Sequence, residues 1–342
     1  MGNGNSTLRL GNEKLVIKKV LSTGRNSTIY LTEQSSSSTL PHNLVCKRFE
    51  LSTSEMIGKV TDEISLLSHC TRTPNIIQYY GYTQLSDSML LFSEYCPYTI
   101  DDAFSLPIPE ETIIEVFHGI ASALAFLHSQ KPSITYFNLR KEHVLLSDDY
   151  TVKLCDFGSA QLSETFYYRK PNDHQTIKEF INNNVKPEYQ SPEMILLYEN
   201  QPISRKSDIW ALGCLLFEIA IGAPPFSAPL CISDVKQLDL TDYQMSKRMK
   251  FLLKEMLVFD QNKRPNIYTI LEHFSQVVEF NNPYKSFMKE TDDDMGSIQS
   301  LGTKTPSSLS QYSKQSLFWQ LLDKKQIDCS VEKSALDTFN EL

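Results

Sequence analysis

The chain has 342 residues, of which 41% are hydrophobic and 22% charged, enough to bury one or two sizeable cores. Its formal net charge of -8 offers no general basic face, so no nucleic-acid partner is expected. The seven cysteines, Cys46, Cys70, Cys96, Cys155, Cys214, Cys231 and Cys329, are scattered without C-x-x-C spacing, which argues against a disulfide frame or zinc site and for reduced thiols in a cytoplasmic protein.

Residues 1–13 are small and polar and are expected to form a flexible arm. Their opening, Met1-Gly2-Asn3-Gly4-Asn5-Ser6, fits the N-myristoylation pattern at Gly2. A single myristoyl chain binds membrane with a constant of only about 10⁴ per molar, so reversible peripheral contact is the expectation. No apolar signal core and no run of about 18 apolar residues is seen, so neither secretion nor a spanning helix is expected.

Strand-like alternation starts near Leu15-Val16-Ile17 and continues through Thr28-Ile29-Tyr30-Leu31. Ser35 to Thr39 reads as a hairpin tip, and Asn43 to Phe49 as the third strand, carrying Lys47. From Ser54 to Ser68 the residues Met56, Ile57, Val60, Ile64 and Leu67 recur at helical spacing. Two more strands are predicted over Ile76 to Tyr82 and Met89 to Tyr95.

Beyond Pro97 the pattern is helical, at Glu111 to Ser129, Ser207 to Ile221, Asp242 to Leu257 and Ile267 to Glu279, with prolines punctuating the connections. The expected fold class is α+β, with a small antiparallel lobe and one helix over residues 14–96 and a larger, mainly helical lobe over 97–280. Residues 281–342 turn polar and acidic and are expected to be disordered, apart from a short docking helix that Leu317 to Leu322 would allow.

Between Ile134 and Gly158 the chain reads Ile-Thr-Tyr-Phe-Asn-Leu-Arg-Lys-Glu-His-Val-Leu-Leu, then a short turn, then Val-Lys-Leu-Cys-Asp-Phe-Gly. Ser191-Pro192-Glu193, Asp208-Ile209-Trp210-Ala211-Leu212-Gly213 and Lys263-Arg264-Pro265 follow in order. This succession resembles the protein kinases over roughly residues 14 to 280. Cys155-Asp156-Phe157-Gly158-Ser159-Ala160, Tyr189 through Tyr198, and Lys206 through Leu216 are similar in detail to the Numb-associated kinase family, which includes the adaptor-associated and cyclin-G-associated kinases.

The resemblance implies a bilobal kinase fold and serine/threonine kinase ancestry in membrane trafficking. It implies a nucleotide site in which Lys47 meets the ATP phosphates and is held by Glu63, with Leu21, Gly24, Ile29 and Val45 around the nucleotide and Glu94 and Cys96 at the hinge, beside a small gatekeeper, Ser93. Asp156 would hold magnesium, Glu193 would pair with Arg264, and Asp208 would brace the catalytic loop. An extra helix near Thr176 to Asn182 is implied as well. Clathrin-adaptor or other trafficking proteins are the implied partners, and Asp337-Thr338-Phe339 faintly matches the Asp-x-Phe adaptor-binding pattern.

Against this frame, several positions depart. Asn138 stands at the general-base position, where a neutral amide cannot take up a proton near pH 7. His143 stands where the family has an Asn ligand for a second magnesium ion, and imidazole suits softer metals; a histidine hydrogen-bonded within the loop is the favoured reading. Tyr136 replaces the spine histidine, Phe137 the phosphate-reading Arg, Arg140 the loop Lys, and Lys186 the usual substrate-loop Thr. In the phosphate loop only Gly24 of three glycines remains, and Asn26 replaces the aromatic flap. Val45 adds bulk above the adenine, and overpacking of that kind costs about 1–3 kcal/mol.

Two readings follow. The leading one is an inactive serine/threonine kinase, a pseudokinase, serving as a scaffold or regulatory binding module. The other is a weakly active kinase. Binding of ATP and magnesium is left open by the sequence.

Overall fold

Backbone register in the first part of the chain is set by apolar residues alternating on strands that share one buried face. In this computed structural model, which describes residues 6–34, 40–71, 73–162, 171–197, 202–236 and 238–275, they form a six-stranded antiparallel sheet. Gly2, the tip at 35–39 and the whole of 276–342, including Leu317 to Leu322 and Asp337-Thr338-Phe339, lie outside the described residues.

The sheet comprises β1 (Thr7–Leu10), β2 (Glu13–Thr23), β3 (Ser27–Gln34), β4 (Asn43–Glu50), β5 (Tyr79–Gln84) and β6 (Ser88–Glu94), in the order β1-β2-β3-β4-β6-β5. Over Thr7–Leu10, β1 stands where a flexible arm was expected, and it makes the Lys47 strand the fourth. Leu8 and Leu10 pack against the buried cluster Leu15, Leu44, Cys46, Leu90 and Phe92, and the Thr83 hydroxyl donates to the Arg9 carbonyl at 2.8 Å. Two apolar residues in a polar segment suffice when a finished sheet face receives them.

Between β4 and β5 runs α1 (Ser54–Cys70), capped by the Thr53 hydroxyl, which accepts the Met56 N–H at 3.2 Å. Its inner face buries Val60, Glu63, Ile64 and Leu67, and buried Cys70 carries it past Ser68. β5 begins later than predicted because Ile76 and Ile77 are used elsewhere. Ile76 makes a parallel bridge to Leu154, and the Ile77 N–H donates to the Leu154 carbonyl at 3.0 Å, joining the sheet-bearing part to the helical part.

The second part starts with β7 (Tyr98–Thr99), α2 (Ile100–Ala103) and the long α3 (Glu110–Ser129). Among the described residues α3 is the one helix that by length and composition could cross a membrane. Here Phe117, Ile120, Leu124 and Leu127 are fully buried, and it packs on α6, α9 and β10. The short strands β8 (Ile134–Thr135), β9 (Val144–Leu146), β10 (Val152–Leu154) and β11 (Gln161–Leu162) frame the loops at 136–143 and 155–160, with β7-β9-β10 and β8-β11 paired antiparallel.

Then come α4 (Pro171–Asn184), α5 (Pro192–Ile195), α6 (Lys206–Ile221), α7 (Ile232–Lys236), α8 (Lys247–Met256) and α9 (Ile267–Ser275). α6 is buried almost all round and ends at Gly222, whose φ of 89° suits glycine. α4 takes in the segment Thr176 to Asn182. α8 is shorter than predicted: the Ser246 hydroxyl accepts the Met249 N–H at 3.1 Å and sets its start there, leaving 242–246 outside the helix.

Candidate active site

Lys47 on β4 and Glu63 on α1 meet because the sheet presents one and the helix's buried face the other. The Lys47 ammonium lies 2.7 Å from Glu63 Oε1 and 2.9 Å from Asp156 Oδ1. Burial alone would lower the Lys47 pKa, but the two carboxylates outweigh it and raise it, so the ammonium is charged near pH 7. Burial would likewise raise the Asp156 pKa, yet Lys47 holds that carboxyl well below its usual range. Burial raises the pKa of Glu63 despite Lys47. Gly158 permits the approach, since a Cβ there would sit 2.8 Å from Glu63 Oε2.

The loop from Tyr136 to His143 is held from below. Asp208, at the start of α6, accepts the backbone N–H groups of Tyr136 and Phe137, each at 2.8 Å, and His128 Nε2–H at 2.9 Å. Phe137 adopts a φ of 64°, a left-handed conformation costly for a bulky side chain, and Asp156 one of 60°. Tyr136 is fully buried, its ring edge-on to Phe157 at 5.5 Å and its hydroxyl donating to the Cys155 carbonyl. Phe137 points into an apolar cluster with Ile177, Ile181, Val185, Met194 and Leu197, and meets Phe180 edge-on at 5.5 Å. Where an Arg would read a phosphate, this chain has an apolar anchor for α4.

Asn138 is buried, and its Nδ2 donates to Ser159 Oγ at 3.4 Å, which in turn donates to Asn184 Oδ1 at 3.2 Å. Its Oδ1 has no hydrogen-bond partner among the described residues. That oxygen can accept a hydrogen bond from a hydroxyl and so orient it, but it cannot take the proton; losing such a base costs about two to four orders of magnitude in rate.

His143, on a 3-10 turn at Lys141–His143, donates Nδ1–H to the Asn138 carbonyl at 2.9 Å. Its Nε2 accepts from Arg140 Nε at 3.2 Å and Nη2 at 3.0 Å, which assigns the tautomer. Nε2 also lies 3.3 Å from Asp156 Oδ2. Burial lowers the His143 pKa against the pull of Asp156, so the ring is neutral near pH 7. Lys186 turns to Glu142 at 3.3 Å and lies over the Tyr189 ring, 5.6 Å from its centroid.

The structure brings Lys47, Glu63, Asp156, His143 and Asn138 into one chain of contacts. Ile29 pairs across from Lys47, and Val45 from Ser93, in the sheet register. Leu21 is exposed at the end of β2, and the Gly24 N–H donates to the Ser27 carbonyl at 2.8 Å. A Cβ at Gly24 would make only ordinary contacts, so packing within the chain does not demand glycine there. At the hinge, the Glu94 carboxylate is engaged by Lys153 at 3.1 Å and by the Gln78 N–H at 3.1 Å, and burial pushes the Cys96 thiol up to about 12. The sequence places Arg140 where the family has the loop Lys but does not show its hold on His143. The three-residue spacing across the turn was the available signal.

A nucleotide phosphate would meet the Lys47 ammonium, which Glu63 holds in place and which also faces Asp156. A pair of magnesium ions does not fit. The hard donor is one carboxylate, whose Oδ1 is held by the Lys47 ammonium and whose Oδ2 faces an unprotonated ring nitrogen, and the imidazole at the second position is occupied by a guanidinium. What the chain's own groups can do is bind an anion at Lys47 and orient a hydroxyl at Asn138.

Residues 15–274 match the family described as Protein kinase domain, and the chain belongs to that family. It is 30% identical over 285 residues to a probable serine/threonine-protein kinase of Dictyostelium discoideum, covering 79% of this chain and 25% of that protein. It is 28% identical over 276 residues to the serine/threonine-protein kinase AKL1 of Saccharomyces cerevisiae, covering 74% and 24%. With the actin-regulating kinase PRK1 of the same yeast it shares 26% identity over 298 residues, covering 82% and 36%. The chain spans about a quarter to two fifths of the length of the curated relatives it matches. Kinase domains as a class bind ATP with magnesium.

Proposed function

We propose that this protein is a catalytically silent serine/threonine kinase homologue that works as a scaffold or regulatory binding module and retains a nucleotide cradle. The observation that carries the reading is Asn138: a neutral amide at the base position, fixed beside a neutral His143 whose ring nitrogen is taken by Arg140. The buried frame, Asp208 under the loop and Glu193 paired with Arg264, is intact, which supports a folded domain with lost chemistry. The similarity to the Numb-associated kinases, together with a relative named for actin regulation, favours a place in membrane trafficking with adaptor-type protein partners. In this reading the protein is cytoplasmic and touches membranes reversibly through myristoylated Gly2.

A weakly active kinase is the second reading, and the Lys47–Glu63 contact at 2.7 Å favours it, because positioning and electrostatics provide most of the catalysis in phosphoryl transfer. Purified protein incubated with radiolabelled ATP, beside its Lys47→Ala variant, separates the two. We expect equal background labelling; transfer that depends on Lys47 would establish the enzyme. For the membrane contact, Gly2→Ala should move the protein to the soluble fraction, and unchanged partition would remove acylation as the anchor.

A further inference from the structure

Lys47, Asp156, His143 and Arg140 form a linked row with a cation at each end, the Lys47 end also paired with Glu63 at 2.7 Å. Lys47 Nζ faces Asp156 Oδ1 at 2.9 Å, Asp156 Oδ2 faces His143 Nε2 at 3.3 Å, and that same Nε2 accepts from the Arg140 guanidinium at 3.0 and 3.2 Å. Because Nδ1–H is committed to the Asn138 carbonyl, the Nε2 lone pair is the ring's one acceptor, and Arg140 has it. A divalent cation at this position would meet a nitrogen without a lone pair to give and a positive guanidinium beside it. Magnesium asks for the opposite, oxygen ligands at about 2.0–2.1 Å in octahedral array.

A polyphosphate finds better conditions. Lys47 presents an ammonium that Glu63 and Asp156 hold in place, and a guanidinium carries five N–H donors, of which the contact with His143 uses two. Arginine and phosphate match in geometry as well as charge, since the planar fork can donate twice to one phosphate group. We propose that this site binds nucleoside triphosphate as the metal-free anion, with Arg140, beside Lys47, supplying positive charge that magnesium supplies in other kinase domains. The proposal rests on the reading that the chain keeps a nucleotide cradle, and it adds the ionic form of the ligand and a binding role for Arg140.

The test is a calorimetric titration of the full chain with ATP, first in EDTA and then in excess magnesium, with a thermal melt of each protein as the control for folding. The dissociation constant in EDTA should be within about threefold of that in magnesium, or tighter. Arg140→Gln should weaken metal-free ATP binding about tenfold while leaving binding of adenosine, which has no phosphates, unchanged. His143→Asn replaces the occupied imidazole with an amide oxygen beside Asp156, and there magnesium should tighten ATP binding about tenfold. That gain cannot come from misfolding.

Binding by the natural chain that requires magnesium overturns the proposal, as does a cooperatively melting protein that binds ATP in neither buffer, or an Arg140→Gln variant that binds ATP as well as the parent. Magnesium-dependent binding without phosphate transfer would sink this inference and leave the silent-module reading standing. Lys47-dependent transfer would bring down that reading instead.

Discussion

His143 donates its Nδ1–H to the main-chain carbonyl of Asn138 at 2.9 Å, so the two residues that most alter the catalytic loop are tied to each other. Changing the amide at Asn138 back to a carboxylate leaves its neighbour in the metal-donor position. Correcting the base and correcting the donor are therefore coupled.

The first prediction follows from that tie. Asn138→Asp alone should stay at background in an autophosphorylation assay, whereas Asn138→Asp with His143→Asn should gain transfer by about 10²- to 10⁴-fold, the range a general base supplies. If the single variant equals the double, the two positions are not coupled.

Arg264 is completely buried, with both ends of its fork on Glu193 at 2.8 Å and further donation to the carbonyls of Val258, Phe259 and Lys206. Arg264→Leu leaves a buried carboxylate without its counter-charge, and stability should fall by about 3–5 kcal/mol. Equilibrium unfolding in urea measures it. An unchanged midpoint would mean that the pair contributes nothing net.

Phe137 links the catalytic loop to α4 through Ile177, Ile181 and Phe180. Phe137→Ala should cost about 3–5 kcal/mol, with the loss concentrated where the contacts were. In hydrogen-exchange mass spectrometry, peptides over 171–184 should exchange faster while those over α6, packed around Trp210 and Phe226, keep their protection. Uniform loss across both would contradict a local anchor.

Two buried histidines should make the fold acid-sensitive. Burial lowers the pKa of His128 against Asp208, with Arg205 and Lys206 adding to the effect, and lowers that of His143 against Asp156 with Arg140 adding to it. The unfolded chain, with histidines near their ordinary value of about 6.5, binds protons that the folded chain refuses, so the unfolded state gains as pH falls. This stability is present above about pH 6.5 and is lost as pH drops through the folded values. Melting temperature measured from neutral to mildly acidic buffer should decline, and His143→Asn should flatten part of the slope. A flat profile in the natural chain would count against neutral buried rings.

Periodicity and motif spacing were sufficient to identify the α+β class, the strand bearing Lys47, the helix bearing Glu63, and Asp156, because each is a local pattern of apolar residues or of residue types at short range. Asn138 and His143 were legible for the same reason: their identity alone removes a carboxylate and an oxygen donor. Other features depended on neighbours distant in the chain. Leu8 and Leu10 become a strand because a sheet face is there to bury them, and Ile76 and Ile77 leave their predicted strand because Leu154 offers its backbone.

The candidate site divides along the same line. Sequence shows that Phe137 is not an arginine; only packing shows that it anchors α4. Sequence shows that Arg140 is still a cation; only the turn at Lys141–His143 brings its guanidinium onto the His143 ring, beside Asp156. Side-chain identity sets what a group can donate, accept or repel, and that is written residue by residue. Which partner it meets depends on the folding of the whole chain around it, and here that decided that the metal-donor position is filled by a hydrogen-bonded imidazole.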